Sequence, residues 1–311
     1  MESSILHIIH GDGLKEQVDE LNLKGKKVIW RELLCEGQTD CEVGSRAFIT
    51  KRQDFLENYY SISNEVYADR FLAELDKLKI SKEVGEINLW FEFDLYNHIN
   101  MIAVIDFLIK QNSEAPVFLV CSRRLKGDGK DRKGLARLNK KQLMNHFEKR
   151  FNLTPEDLEY ASLIWSRYCA FDHKKLKPEI RKPTNFEYLS SCMKAHIERF
   201  PNRKTGLNSV ETNVLKLIDK HTICNTNQLL GYALEYQGYY GYSFDQMQRL
   251  IGSLQLFYTS KKQGFALNDN GEAVLNQSKN FYRQMKNGLY YGGADKFGFL
   301  YDPDSHNLMK L

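Results

Sequence analysis

Proline is scarce in this chain, 6 residues in 311, so no Pro-rich linker or stalk separates its parts. Long apolar runs are missing too. The longest uncharged apolar stretch, around residues 97–105, falls far short of the roughly 20 residues a membrane-spanning helix needs. The six cysteines, Cys35, Cys41, Cys121, Cys169, Cys192 and Cys224, form no CxxC pair, and none stands at zinc-finger spacing from a histidine. That argues against structural zinc. The opening residues MESSILHIIHGDG carry no basic n-region and no cleavage pattern, so no signal peptide is expected. Free thiols in a reducing cytoplasm are the expectation, with no membrane partner. No GxxxxGK(S/T), no GxSxG and no complete GxGxxG occurs, which removes the strongest nucleotide and hydrolase signatures.

What is present is an ordinary globular balance, 42% hydrophobic and 27% charged, enough to build a sizeable core. Charge is unevenly placed. Residues 1–122 carry 13 Lys and Arg against 21 Asp and Glu, a net of −8. Residues 123–150 carry 11 against 3, a net of +8, and residues 151–311 carry 20 against 16, a net of +4. Two readings of the basic block stay open. One is a solvated loop and helix leaning on the acidic residues before it. The other is an anion site for phosphate or nucleic acid.

Hydrophobic periodicity predicts an α/β fold. Strands are expected at Ile5–Gly11, Lys26–Leu33, Glu86–Asp94 and Pro116–Ser122. Helices are expected at Gly13–Leu23, around Ser45–Tyr60 and Asn64–Leu78, and at His98–Lys110. Alternation of this kind implies a parallel, Rossmann-like sheet covered on both faces. Only helices are expected between residues 134 and 200, among them Thr154–Phe171 with a Thr cap and Pro155 in its first turn. Beyond residue 205, three helices precede a strand, a basic turn, a strand and a returning helix, a winged-helix-like order. Helix starts are offered by Ser209 and Thr212. The predicted layout is an α/β domain at 1–125, a helical linker domain at 126–204, and a winged-helix-like domain with a tail at 205–311. Trp30, Trp90 and Trp165 read as core, as does His7 between isoleucines.

Ligands of open α/β sheets sit beyond the carboxyl ends of the strands. The first predicted strand ends in His10, Gly11, Asp12 and Gly13, and the second in Arg31 and Glu32, with Cys35, Glu36 and Gly37 following. The third ends in Glu92 and Asp94, the fourth in Ser122, Arg123 and Arg124. Together they predict one crevice. The turn at Gly11 and Gly13 can offer backbone N–H groups to a phosphate. Arg31, Arg123 and Arg124 supply cations, and Glu32 and Glu36 line the wall. Glu92 and Asp94, at i and i+2 of a continuing strand, would face one side. There they hold Mg²⁺ or, with Asp12, act as acid and base. Cys35 reads as a small, partly buried thiol rather than a nucleophile. Residues 35–40, CEGQTD, resemble the Glu-Gly turn of the Toprim metal-nuclease family, with the acidic pair 56 residues later. Glu92 stands there where that family has Asp. Five tyrosines around Gly238 and Gly241 could stack bases, but packing of an irregular loop is the more ordinary reading.

HIIHGDG, VIWRELLCEG, LWFEFDLYNHINM and the stretch AxxxWxxYCAFD at 161–172 resemble a bacterial family catalogued as domain of unknown function 1835. HIERFPNRKTGLNSVETNVL and GGADKFGFLYD are similar to its longer members from Bacteroidetes. Phe93 stands where that family often has His, and Gly134-Leu135-Ala136 where it often has Gly-Leu-Gly. The resemblance implies the same architecture and motif residues, and no established activity.

The function expected from these residues is binding, with processing as an option, of a phosphorylated small molecule or nucleotide at the sheet edge, with Mg²⁺ as candidate cofactor. The alternative is a regulator or interaction protein that uses residues 123–150 and the winged helix. Nucleic-acid contact is expected to be weak, because residues 206–280 balance 6 basic against 6 acidic side chains.

Overall fold

The structure, a computed structural model, describes residues 4–79, 84–122, 134–176, 184–261 and 264–311. The chain opens with β1 (Ser4–His10), whose last five residues are buried, and turns at Gly11 into α1 (Asp12–Asp19). β2 (Lys26–Trp30) follows, ending three residues earlier than its apolar run suggests, and then a two-residue strand β3 (Gly37–Gln38). α2 (Arg46–Tyr60) starts under a Ser45 cap. α3 (Asn64–Tyr67) and α4 (Ala73–Lys77) are joined by a π turn at Ala68–Leu72.

β4 (Val84–Trp90) leads into α5 (Leu95–Lys110), and β5 (Val117–Val120) follows. The third strand thus begins two residues earlier and ends four residues earlier than expected. Asp94 has left it to cap α5, accepting the Asn97 N–H. An unpaired carboxylate at a buried strand position is costly, whereas a helix N-terminus offers it hydrogen bonds.

α6 (Lys140–Glu148) opens on an Asn139 capping box, and β6 (Phe151–Asn152) pairs antiparallel with β5. This short edge strand corrects the expectation of helices only. The helices α7 (Pro155–Cys169), α8 (Leu189–Glu198), α9 (Ser209–Lys220), α10 (Thr226–Glu235) and α11 (Phe244–Ser253) follow. α9 is capped by Asn208 rather than by Ser209 or Thr212, because Asn208 and Glu211 complete a reciprocal box. The hairpin β7 (Tyr258–Lys261) and β8 (Gly264–Leu267) leads to α12 (Asp269–Leu275) and α13 (Tyr282–Met285). The tail adds β9 (Tyr290–Gly292), β10 (Ala294–Asp295), β11 (Phe299–Asp302) and β12 (Asn307–Lys310). β9 pairs in parallel with β3, Gly37 opposite Tyr291, so the tail returns to the chain's first quarter.

The main sheet runs β2-β1-β4-β5-β6, parallel but for the last strand. Period-2 alternation covers it on both faces. Ile9, Ile29, Trp90 and Val120 pack with Leu14 and Val18 of α1 and Leu143 of α6. Ile8, Val28, Leu89 and Leu119 belong to the larger cluster that includes α5. α5 is buried on every side from Asn97 to Leu108, and packs on α7 and α8. The edge of β2 is covered where the Ile29 N–H donates to Glu74. Trp30, Trp90 and Trp165 are all fully buried. His7 is too, between the Lys24 carbonyl and the Trp90 indole N–H. Among the described residues no helix is long and apolar enough to cross a membrane.

Strand order reverses at β1. β2 lies on one side of it, β4 and β5 on the other, so the topological switch point falls between the ends of β1 and β4.

Candidate functional site

At that switch point β1 delivers His10 and Gly11. Gly11 has φ +81°, and neither Gly11 nor Gly13 would meet another atom within 4 Å on gaining a Cβ. The backbone here is open. No side chain caps α1, so its first-turn N–H groups point out without an intrahelical partner.

Asn97 organises the other side. Its amide group donates to both oxygens of Asp94, at 2.9 and 3.1 Å, and its Oδ1 accepts the Glu92 N–H at 3.1 Å. The same Oδ1 lies 2.6 Å from His10 Nδ1. Since Oδ1 can only accept, Nδ1 carries the proton. Burial lowers the His10 pKa to about 4, so the ring is neutral at pH 7. His98, also buried, bonds through Nδ1 to the Asp94 carbonyl.

The Glu92 carboxylate accepts the Ser122 hydroxyl at 2.9 Å and the Ala136 N–H at 3.3 Å. Burial, and then the charge of Asp94, push its pKa up to about 7. Burial also raises that of Asp94. Among the described residues neither carboxylate has a Lys or Arg ion-pair partner, so two acidic groups repel each other with no cation to offset them. Ser122 and Gly134, the residues bounding 123–133, both reach Glu92. A Cβ on Gly134 would come within 2.8 Å of its Oε1. Arg123 and Arg124 lie outside the described residues.

The site is completed from the C-terminal part of the chain. The carbonyls of Tyr239 and Tyr240 accept the N–H groups of Leu95 and Tyr96, the first residues of α5, at 2.8 and 3.3 Å. Gly241 (φ +67°) passes so close to Asp94 that a Cβ would lie 2.2 Å from its Cγ. Sequence reading missed this role. The Tyr-Gly alternation at 238–242 was its one visible signal.

Other predicted residues are engaged elsewhere. Asp12 does not stand with Glu92 and Asp94 in any described bond. It takes a bidentate grip from Arg31 and a further bond from Arg70, which hold its pKa below the usual range. Arg31 is thereby occupied, and it also reaches the Arg70 carbonyl and Glu74. Glu32 is sealed in a pair with Arg52 and Tyr67, and Glu36 binds Tyr60 and Arg249. Both acids lock structure, because each finds a cation on a helix that no local pattern announces. Cys35 is fully buried, not partly, and burial pushes its thiol up to about 12. It is therefore protonated and inert at neutral pH. Among the described residues no three His, Cys, Asp or Glu side chains gather as a metal cluster. A Toprim-like set joining Glu36 to Glu92 and Asp94 is therefore not formed.

Glu92 has a consequence for stability. A carboxyl whose pKa is raised on folding binds its proton more tightly in the native state than in the unfolded one. Its contribution to stability is complete below about pH 4.5 and is lost as pH rises through about 7. Glu92→Gln is expected to match the wild type at pH 4. At pH 8 it should be more stable by about 1–2 kcal/mol, once solvent screening at this half-buried group is allowed for. Urea unfolding across that range measures it, and parallel pH curves for the two proteins would refute it.

No family model matches the chain, and no curated protein matches it either. Among solved structures it is similar to the topoisomerase II DNA-binding, cleavage and re-ligation domain of Plasmodium falciparum, at 13% identity and a TM-score of 0.45. The alignment covers 82% of this chain and 42% of that one, so the chain spans less than half the length of the solved chain. A likeness at that score says nothing about what this chain binds.

Proposed function

We propose that the carboxyl edge of the parallel sheet binds a phosphorylated small molecule, a nucleotide being the best-fitting class. The observation that carries this reading is the Glu92–Asp94 pair, uncompensated by any described cation, at the switch point that also holds the open N-terminus of α1. The N–H groups of the first turn would take a phosphate. Arg123 and Arg124 follow Ser122 directly in the chain, which makes them the nearest cations in sequence, and a guanidinium fork suits phosphate. Two carboxylates are too few to cage a metal. They do fit a hydrated Mg²⁺, which keeps several waters and takes one or two carboxylates together with the ligand's phosphates. A Glu92 carboxyl with a pKa near 7 suits proton transfer at neutral pH, and neutral His10 orients Asn97 behind it.

The order α9, α10, α11 and then the hairpin β7–β8 supports reading residues 205–285 as winged-helix-like, and the motifs support membership of the family of domain of unknown function 1835. Arg249, the one arginine of α11, is held by Glu36 and Tyr60. That favours a role in internal or protein contacts over duplex reading.

The test is a thermal-shift panel of nucleotides and sugar phosphates, with and without Mg²⁺. At least one phosphorylated compound is expected to raise Tm by a few degrees, about what 100-fold saturation gives. Its Mg²⁺-dependent part should vanish in Glu92→Gln. Arg123→Ala/Arg124→Ala should weaken its binding on the order of tenfold or more, since bonds to charged groups contribute about 1.5–3 kcal/mol each. A panel without a single shift would overturn the proposal. An unchanged dissociation constant in the double variant would leave those arginines merely solvated.

A further inference from the structure

We infer that a cleft between α9, α10 and α11 is a second binding site, formed for a small aromatic carboxylate. The cleft encloses about 260 Å³. That is below the roughly 300–1,000 Å³ of drug-sized pockets, so it takes a ligand of one or two rings and not a dinucleotide. Its floor is apolar: Val210 and Val214 of α9, Ala233 of α10 and Met247 of α11, each buried. Its rim is polar and of one sign. Asn213, Lys216 and Lys220 recur at i, i+3 and i+7 along α9 and share one side of that helix, and no carboxylate lines the cleft.

Neither lysine has an ion-pair partner among the described residues. Lys15, Lys51, Lys77, Lys110 and Lys296 each meet an acid within 3 Å, whereas Lys216 and Lys220, like the exposed Lys140, Lys141 and Lys286, meet none that is described. What distinguishes the two is their place on one side of α9 above the apolar floor. Two unpaired cations over an apolar floor describe the complement of an amphiphilic anion.

Tyr236 makes the aromatic preference. It lines the cleft and is 62% exposed, an unusual state for a large ring. It stacks on Tyr232 at 6.1 Å and 13°, and Tyr232 stacks on His221 at 5.0 Å and 15°. This row of parallel rings fixes Tyr236 at the cleft's edge, at little further cost in side-chain order when a ligand arrives. A planar ring can extend over it while its carboxylate meets the lysines.

The experiment titrates the whole chain with 2-naphthoate, followed by its fluorescence and by calorimetry, with the neutral 2-naphthamide as the charge control. Saturable one-to-one binding is expected, at least tenfold weaker for the amide. Lys216→Glu/Lys220→Glu should weaken naphthoate binding tenfold or more, and Tyr236→Ala should weaken it severalfold. All three side chains are exposed, so melting temperatures should hold. A charge-matched control, Lys79→Glu/Lys141→Glu, should leave binding unchanged. The inference is overturned if naphthoate fails to saturate by about 1 mM, the weak end of specific affinity. It is equally overturned if the Lys216/Lys220 variant binds as the wild type does, or if the control pair weakens binding as much. None of these outcomes bears on the site at the sheet edge, whose residues the variants leave alone.

Discussion

Arg52→Met is expected to cost roughly 3–5 kcal/mol of stability, the loss that follows when one member of a buried ion pair is removed. Both side chains of the Arg52–Glu32 pair are fully buried. Arg52 Nε donates to Glu32 at 3.0 Å, Nη1 to the Glu36 carbonyl at 2.7 Å and Nη2 to the Leu33 carbonyl at 3.0 Å. One guanidinium thus ties α2 to the whole turn after β2. Methionine fills much of the volume but returns none of these bonds. It leaves a carboxylate in the interior with only the Tyr67 hydroxyl and the Leu33 N–H for company. The paired change Arg52→Met/Glu32→Leu removes both charges and should recover a large part of the loss. Urea unfolding of the two variants decides it. A single variant within about 1 kcal/mol of wild type would show that the pair contributes little.

Gly241→Ala is the second large effect, about 2–5 kcal/mol, and it should also disturb the candidate site. A left-handed backbone costs a residue with a Cβ about 1–2 kcal/mol, and Gly241 sits at φ +67°. The added methyl would also stand 2.2 Å from Asp94 Cγ. Asp94 must then turn off its rotamer or surrender its bonds to Asn97, about 1–3 kcal/mol more if they are left unmade. Gly231 is the control. It is a helical glycine whose Cβ position is open, so Gly231→Ala should be neutral or stabilising. Two-dimensional NMR of the variant should show shifts at His10, Glu92 and Asn97 as well as at the loop. Changes confined to residues near 241 would sink the idea that this loop braces the site.

The elements were legible because their causes are local. Short apolar runs gave the strands Ser4–His10 and Lys26–Trp30, and a Thr-Pro start with acids in the first turn gave Pro155–Cys169. A parallel sheet followed from their alternation, and the placing of Glu92 and Asp94 near its carboxyl edge followed from the sheet. Strand ends were less legible. Phe91 and Phe93 continue an apolar alternation, yet Asp94 gains more as the cap of α5 than as a strand residue. Periodicity carries no information about that competition.

Residue pattern was enough for the α/β class, the alternation of the four parallel strands with their helices, the buried tryptophans and the polar character of the sheet's carboxyl edge, but not for β3, β6 or the strands of the tail. Each of the legible features depends on residues within a few positions of one another. Tertiary structure alone decided which polar groups remain available. Asp12 is taken by Arg31 and Arg70, Glu32 by Arg52, and Glu36 by Arg249, 213 positions away. Glu92 and Asp94 are left with hydrogen bonds but no described cation. The reason is physical. A carboxylate's state depends on the charges and the burial around it in space, and the partner that neutralises it can come from any part of the chain once the fold has closed.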